Sequence, residues 1–319
     1  MSTFQRLIDS QPQAPDLLAG RVEAIRRIEA KTGRLLIIYA ADWLTAIKQR
    51  TEGFAGHVSL DHNDILPFHE LISPLNSSSI DVILHSPGGL AEAAERIVKM
   101  LRGRFASVRF FVPHSAMSAA TMLCLSGDEI GMSETSALGP IDPQVNGIPA
   151  RAIKKGFDRV RKAVGKTPGA LTPYLPMLQK YDLHTFEICN NAEKLSKKLA
   201  AEWLNTYMFH GDHAASAKIA KIVRFFASHD NHHSHSRAVG VDECIRKGLK
   251  VCDLRRDPDL AELVWDLWQQ VEYFFGFVSA SAKLFENSHG VTFMRMLPQQ
   301  AIFQMGMPLP LPPMVPPPH

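Results

Sequence analysis

The sequence predicts an α/β fold with a parallel sheet core and a mostly helical C-terminal half. Three observations carry the prediction. Between Ile80 and Met132, short apolar runs alternate with helical periodicity in the order strand, helix, strand, helix, strand, joined by short turns. Such an alternation links parallel strands by right-handed crossovers. The apolar runs are bounded by polar residues and rich in branched side chains, as buried strands are. Beyond Ala150, helical spacing dominates.

Taken in order, Leu17, Leu18, Val22, Ile25 and Ile28 recur at helical spacing, and Gly33 stops that helix. Arg34 to Ala40 reads as a buried strand. A helix follows from about Ile65 to Leu75, capped by Asp61 or Asn63. Asp81 to His85 is a strand that ends in the turn Ser86-Pro87-Gly88-Gly89. Leu90, Ala93, Ala94, Ile97, Val98 and Leu101 form one face of the next helix. Val108 to Val112 is a strand, Ser118 to Ser126 a helix of small residues, and Asp128 to Met132 a further strand. A basic helical stretch starts near Ala150. Residues 182–208 and 213–227 read as two helices, and Pro258 to about Phe277 as an aromatic-rich one. The expected division is a helical lead-in over 1–33, one large domain over 34–257, a C-terminal helical segment over 258–307, and a Pro-rich tail over 308–319. That tail is polyproline-like and suits docking to a partner.

Composition narrows the function classes. The chain has 319 residues, 45% hydrophobic and 21% charged, with a net charge of +3. This is an ordinary mixed surface with no nucleic-acid signature. The four cysteines are scattered without C-x-x-C pairs, which speaks against a cysteine-built zinc site and suits a reducing compartment. No apolar run approaches the roughly 20 residues of a membrane span, and the N-terminus lacks a signal-peptide core. A cytoplasmic location is expected.

Three stretches could carry chemistry. Gly88 and Gly89 stand where a strand ends and a helix begins. Without Cβ atoms they can bring main-chain N–H groups close to a substrate carbonyl, although taken alone the pair is more simply a structural turn. Ser118 starts a helix after a strand, which suits a nucleophile or a simple N-cap, and Ser115 competes with it. Leu138-Gly139-Pro140-Ile141-Asp142-Pro143 reads as a groove wall. Asp142 is expected to brace that loop by side-chain-to-backbone bonds. His114, beside the serine turn, is a substrate contact or a packing residue. The run His229-Asp230-Asn231-His232-His233-Ser234-His235 offers bases, metal ligands or a solvated loop.

In this order the stretches resemble the serine dehydrogenase proteinase family, relatives of signal peptide peptidase A on the Clp protease/crotonase fold. The resemblance is dense from about Ile80 to Lys155 and returns at Ser228 to Asp230 and Val241 to Val251. It implies stacked ββα units and a serine peptidase with Ser118 as nucleophile. It also implies an oxyanion hole from the N–H groups of Gly89 and Ala119, with Gly88 shaping the turn. Clp-type peptidases place a histidine where this chain has Leu138 to Asp142, and that histidine is missing. Signal peptide peptidase relatives use a lysine after this loop. The candidate bases are therefore Lys155, then Lys154, with His229 and the other loop histidines as the alternative. Leu138, Gly139 and His114 are expected along the substrate groove, and no metal or cofactor is expected. The substrate would be a peptide or protein, and the fold implies a homo-oligomer. An acyl-CoA enzyme of crotonase type, or a non-catalytic scaffold, would fit the same fold.

Overall fold

The structure, a computed structural model, describes residues 2–145 and 147–298. Its centre is a seven-stranded sheet. In chain order the strands are β1 (Leu35–Ala41), β2 (Ser79–His85), β3 (Ser107–Val112), β4 (Glu129–Met132), β5 (Val251–Asp253), β6 (Ser281–Asn287) and β7 (Thr292–Met296). Their spatial order is β5-β4-β3-β2-β1-β6-β7. The first five run parallel to one another, while β6 runs antiparallel to β1 and β7 to β6. The expected α/β fold with a mostly parallel core is borne out.

Strand periodicity separates the two faces. Ile37, Tyr39, Val82 and Leu84 point into one core; Leu36, Ile38, Ala40 and Ile83 point into the other. The main helices are α1 (Ala14–Thr32), α2 (Ala91–Arg104), α3 (Ala119–Leu125), α4 (Ala150–Lys166), α5 (Leu183–Trp203), α6 (Ser216–Phe226) and α7 (Pro258–Phe277). Helices α1 and α7 cover one face through Ile25, Ile28, Val264, Leu267 and Trp268. Helices α2, α3, α5 and α6 cover the other. Burying an apolar side chain of this size contributes about 1.5–3 kcal/mol, so both layers are needed to hold the sheet.

The 258–307 stretch differs from its expected helical character. It is helical only to Phe277, and then β6 enters the main sheet beside β1. The reason lies in the residues of β6. Lys283, Glu286 and Asn287 break the apolar pattern of a core strand, yet all are buried and paired, with Asp64, Arg21 and the Leu71 carbonyl. The 257/258 boundary therefore cuts one packed unit, and α1, from the lead-in, packs on α7 across it. The 308–319 tail lies outside the described residues. Among the described residues, no helix is long and apolar enough to cross a membrane.

Candidate active site

The site is built at the C-terminal ends of β2 and β3. After β3 the chain makes a two-residue strand, Ser115–Ala116, beside Ala137–Leu138, and then turns into α3. Ser118 caps α3 with φ 51° and ψ −119°, a conformation that non-glycine residues rarely hold. Packing imposes it. The Met117 N–H donates to the Ser86 carbonyl, and the Thr121 hydroxyl donates to the Ala116 carbonyl at 2.7 Å. Ser118 is left half-buried, and its hydroxyl has no hydrogen-bond partner among the described residues.

Gly88 and Gly89 close the turn after β2, and both require glycine. Gly88 has φ 89°, and a Cβ there would meet the Met117 carbonyl oxygen and lie 2.8 Å from the Ala119 nitrogen. Gly89 has φ 155°, and a Cβ would collide with the Leu60 backbone. The strand-like bridge to Leu60 uses the Gly88 carbonyl and the Leu90 N–H. Neither the Gly89 nor the Ala119 N–H has an acceptor among the described residues. Gly88, Gly89, Ser118 and Ala119 line one cavity of about 350 Å³. Two unspent donors and one unspent hydroxyl thus share a chamber, which is what acyl transfer requires.

The same cavity is lined by His235 and by Ile141, Pro143 and Gln144 of the proline-punctuated loop. His235 Nδ1 lies 2.9 Å from Asp142 Oδ1, and His229 Nδ1 lies 3.0 Å from Asp142 Oδ2. An ionised carboxylate can only accept, so both imidazoles donate from Nδ1, and in a neutral ring that arrangement puts the lone pair on Nε2. Asp142 is buried, and each of its carboxylate oxygens faces one of these two rings. The sequence reading of Asp142 as a backbone brace is thereby corrected: its carboxylate bonds side chains 87 and 93 positions away.

The other candidates fall elsewhere. Lys154 pairs with Glu193 at 3.0 Å; Lys155 is half-exposed and bonds Asp230. Neither lysine lines the Ser118 cavity, and His229 lines a neighbouring one. Leu138 and Gly139 are not on the groove surface. Leu138 is fully buried between two short strands, and the Gly139 N–H donates to the Ala116 carbonyl, so they support the serine turn from behind. His114 lies 3.0 Å from the Ser115 hydroxyl and packs edge-on against His85. Burial lowers its pKa from the usual histidine value. His85 is fully enclosed between Trp43, Trp268 and His114. Burial, with His114 adding to it, lowers its pKa to about 3. His232 serves the loop itself, with Nε2 2.7 Å from the Phe225 carbonyl. Among the described residues, no group of three or more His, Cys, Asp or Glu is placed to hold a metal ion.

The profile of the ClpP-like SDH-type serine proteinases matches residues 4–167, just over half the chain. The chain belongs to this family. The matched region carries Gly88, Gly89, Ser118 and Asp142; His229 and His235 lie beyond it. Two uncharacterised proteins of Methanocaldococcus jannaschii are similar to this proteinase chain. One is 46% identical over 160 residues, covering 49% of this chain and 54% of that protein. The other is 32% identical over 141 residues, covering 44% and 47%. The chain thus spans about half the length of these curated relatives. Among solved structures, it overlaps a variant of the 1510-N membrane-bound stomatin-specific protease at 20% identity and TM-score 0.39, covering 63% of this chain and 78% of that one. It overlaps a variant of ClpP1 from Listeria monocytogenes at 12% identity and TM-score 0.35, covering 66% and 98%. Overlaps this partial say nothing about the site, whose description rests on the residues above.

Proposed function

We propose that this member of the serine proteinase family hydrolyses peptide bonds through an acyl-enzyme on Ser118, with His235 as the base and Asp142 orienting it. The observation that carries the proposal is the shared cavity: His235 lines the chamber of Ser118 while its Nδ1 is held by Asp142. In the reaction, Ser118 Oγ attacks the substrate carbonyl carbon as its proton passes to His235 Nε2. The oxyanion is met by the N–H groups of Gly89 and Ala119. The C–N bond then breaks as His235 returns that proton to the leaving amine. Water, deprotonated by the same imidazole, attacks the ester and releases the acid and the Ser118 hydroxyl. No cofactor enters this sequence.

A signal-peptide-peptidase-like serine–lysine pair would need Lys155 or Lys154 at the hydroxyl, and both are engaged by carboxylates outside the cavity. The acyl-CoA and scaffold readings do not use the His235–Asp142 contact. Homo-oligomeric assembly and a cytoplasmic location belong to the same proposal and are tested by sedimentation and cell fractionation. The test of the chemistry is hydrolysis of a fluorogenic peptide library. Ser118→Ala and His235→Ala should each lose about a thousandfold in kcat, and Lys155→Ala should keep most of its activity. Loss in Lys155→Ala with retention in His235→Ala would restore the lysine mechanism.

A further inference from the structure

Pro143 lines a second cavity, of about 240 Å³, as well as the one that holds Ser118. Helix α5 runs past both. Its Ala192, Leu195 and Ser196 face the Ser118 cavity, and its Glu193 and Lys197 face the second. Each residue along a helix turns the direction by about 100°, so these sets form adjoining stripes and the two cavities are neighbours.

The second cavity is lined by Asp142, Glu193 and Asp230 and by Arg151, Lys197 and Arg224, and these groups are not all paired with one another. Glu193 pairs with Lys154 and Asp230 with Lys155 and Arg151, while the Asp142 carboxylate accepts hydrogen bonds from His229 and His235. Lys197 and Arg224 also line it, and neither makes an ion pair or side-chain hydrogen bond among the described residues. Both are exposed to water, so an occupant that brings a negatively charged acceptor can engage them, and an arginine fork suits a carboxylate. A peptide extending from Ser118 past Pro143 arrives at these two cations.

We infer that the second cavity is a specificity subsite in which Lys197 and Arg224 take a carboxylate of the bound peptide, either an acidic side chain or the C-terminus. The inference rests on the peptidase reading, and its test separates the two. Labelled peptides carrying Glu or Gln at each position, and ending in a free carboxylate or an amide, are titrated against the full Ser118→Gly chain. Glycine adopts the φ of 51° at that position without strain. The same peptides are offered to the wild type for hydrolysis.

At one position the charged form should bind about tenfold tighter than the neutral one. Preference for Glu over Gln at an internal position assigns the side chain; preference for the acid over the amide assigns the C-terminus. The pair Lys197→Met and Arg224→Met should abolish the preference. The pair Lys197→Glu and Arg224→Glu should make the same site favour a lysine or an amide, which a general loss of fold would not do. Equal binding of charged and neutral peptides at every position, or no binding, overturns the inference. Charge-selective binding without wild-type hydrolysis leaves the subsite and removes the peptidase reading; hydrolysis without charge preference does the reverse.

Discussion

Ser118 holds its rare backbone angles because Gly88 lets the neighbouring turn press against it. A methyl group at Gly88 would strike the Met117 carbonyl oxygen and the Ala119 nitrogen, at a φ that already disfavours alanine. Gly88→Ala should lower the melting temperature and cut peptidase activity at least a hundredfold. An active, equally stable variant in a thermal melt would show that the two turns do not depend on each other. His85 supplies a prediction about pH. Its folded pKa of about 3 lies below the ordinary histidine value of about 6.5, so below pH 6.5 the unfolded chain binds more protons. The stability it contributes is full above pH 6.5 and is lost as pH falls towards 3, by an amount on the order of a few kcal/mol. Urea melts at pH 7 and pH 4 should show a smaller acid loss in His85→Gln than in the wild type. Identical pH dependence would place the acid lability elsewhere. The strand that His85 ends was legible in the sequence, because strand periodicity is local.

At the scale of elements, the site joins one local pattern and one distant contact. The order of strand, glycine pair, helix, strand, serine and helix lies within a few dozen residues, so periodicity and turn chemistry revealed it. The loop from Leu138 to Gln144 was legible as part of the site. Which of its residues face the cavity was not, because a short proline-rich loop has no repeating geometry. Ile141, Pro143 and Gln144 line the cavity, and Leu138 is core. The Asp142 pairing with His229 and His235 spans 87 and 93 positions, a separation that no periodicity reports. Asp142→Asn tests that contact. It keeps the loop's shape, removes the charge that supports the imidazolium, and can reverse the tautomer of His235. It should lower kcat by about a thousandfold or more while leaving KM and the circular dichroism spectrum nearly unchanged. A variant with near-normal kcat would reduce Asp142 to a loop brace.

At the scale of the whole molecule, the far end of the described chain completes the sheet on which the site stands. Strand β6 pairs with β1, and Lys283 forms a buried ion pair with Asp64 at 2.7 Å, with the Tyr39 hydroxyl donating to the same carboxylate. Burial pulls the Lys283 pKa down and pushes that of Asp64 up. Deleting one partner strands the other charge, so Lys283→Met should destabilise the chain by about 3–5 kcal/mol in chemical denaturation. A cost below about 1 kcal/mol would mean that β6 is an appendage. Buried, paired charges are also why β6 was invisible in sequence: Lys283, Glu286 and Asn287 break the apolar run that marks a buried strand, and Ser281–Asn287 fell within the expected helical segment. The central claim is that this assembled fold arms Ser118 through His235. Mass-spectrometric mapping of the full chain after reaction with a fluorophosphonate tests it most directly. The account predicts one adduct, on Ser118, formed at least a hundredfold more slowly in His235→Ala and at the wild-type rate in Lys155→Ala. An adduct on Ser115, or undiminished labelling of Ser118 in His235→Ala, would contradict it.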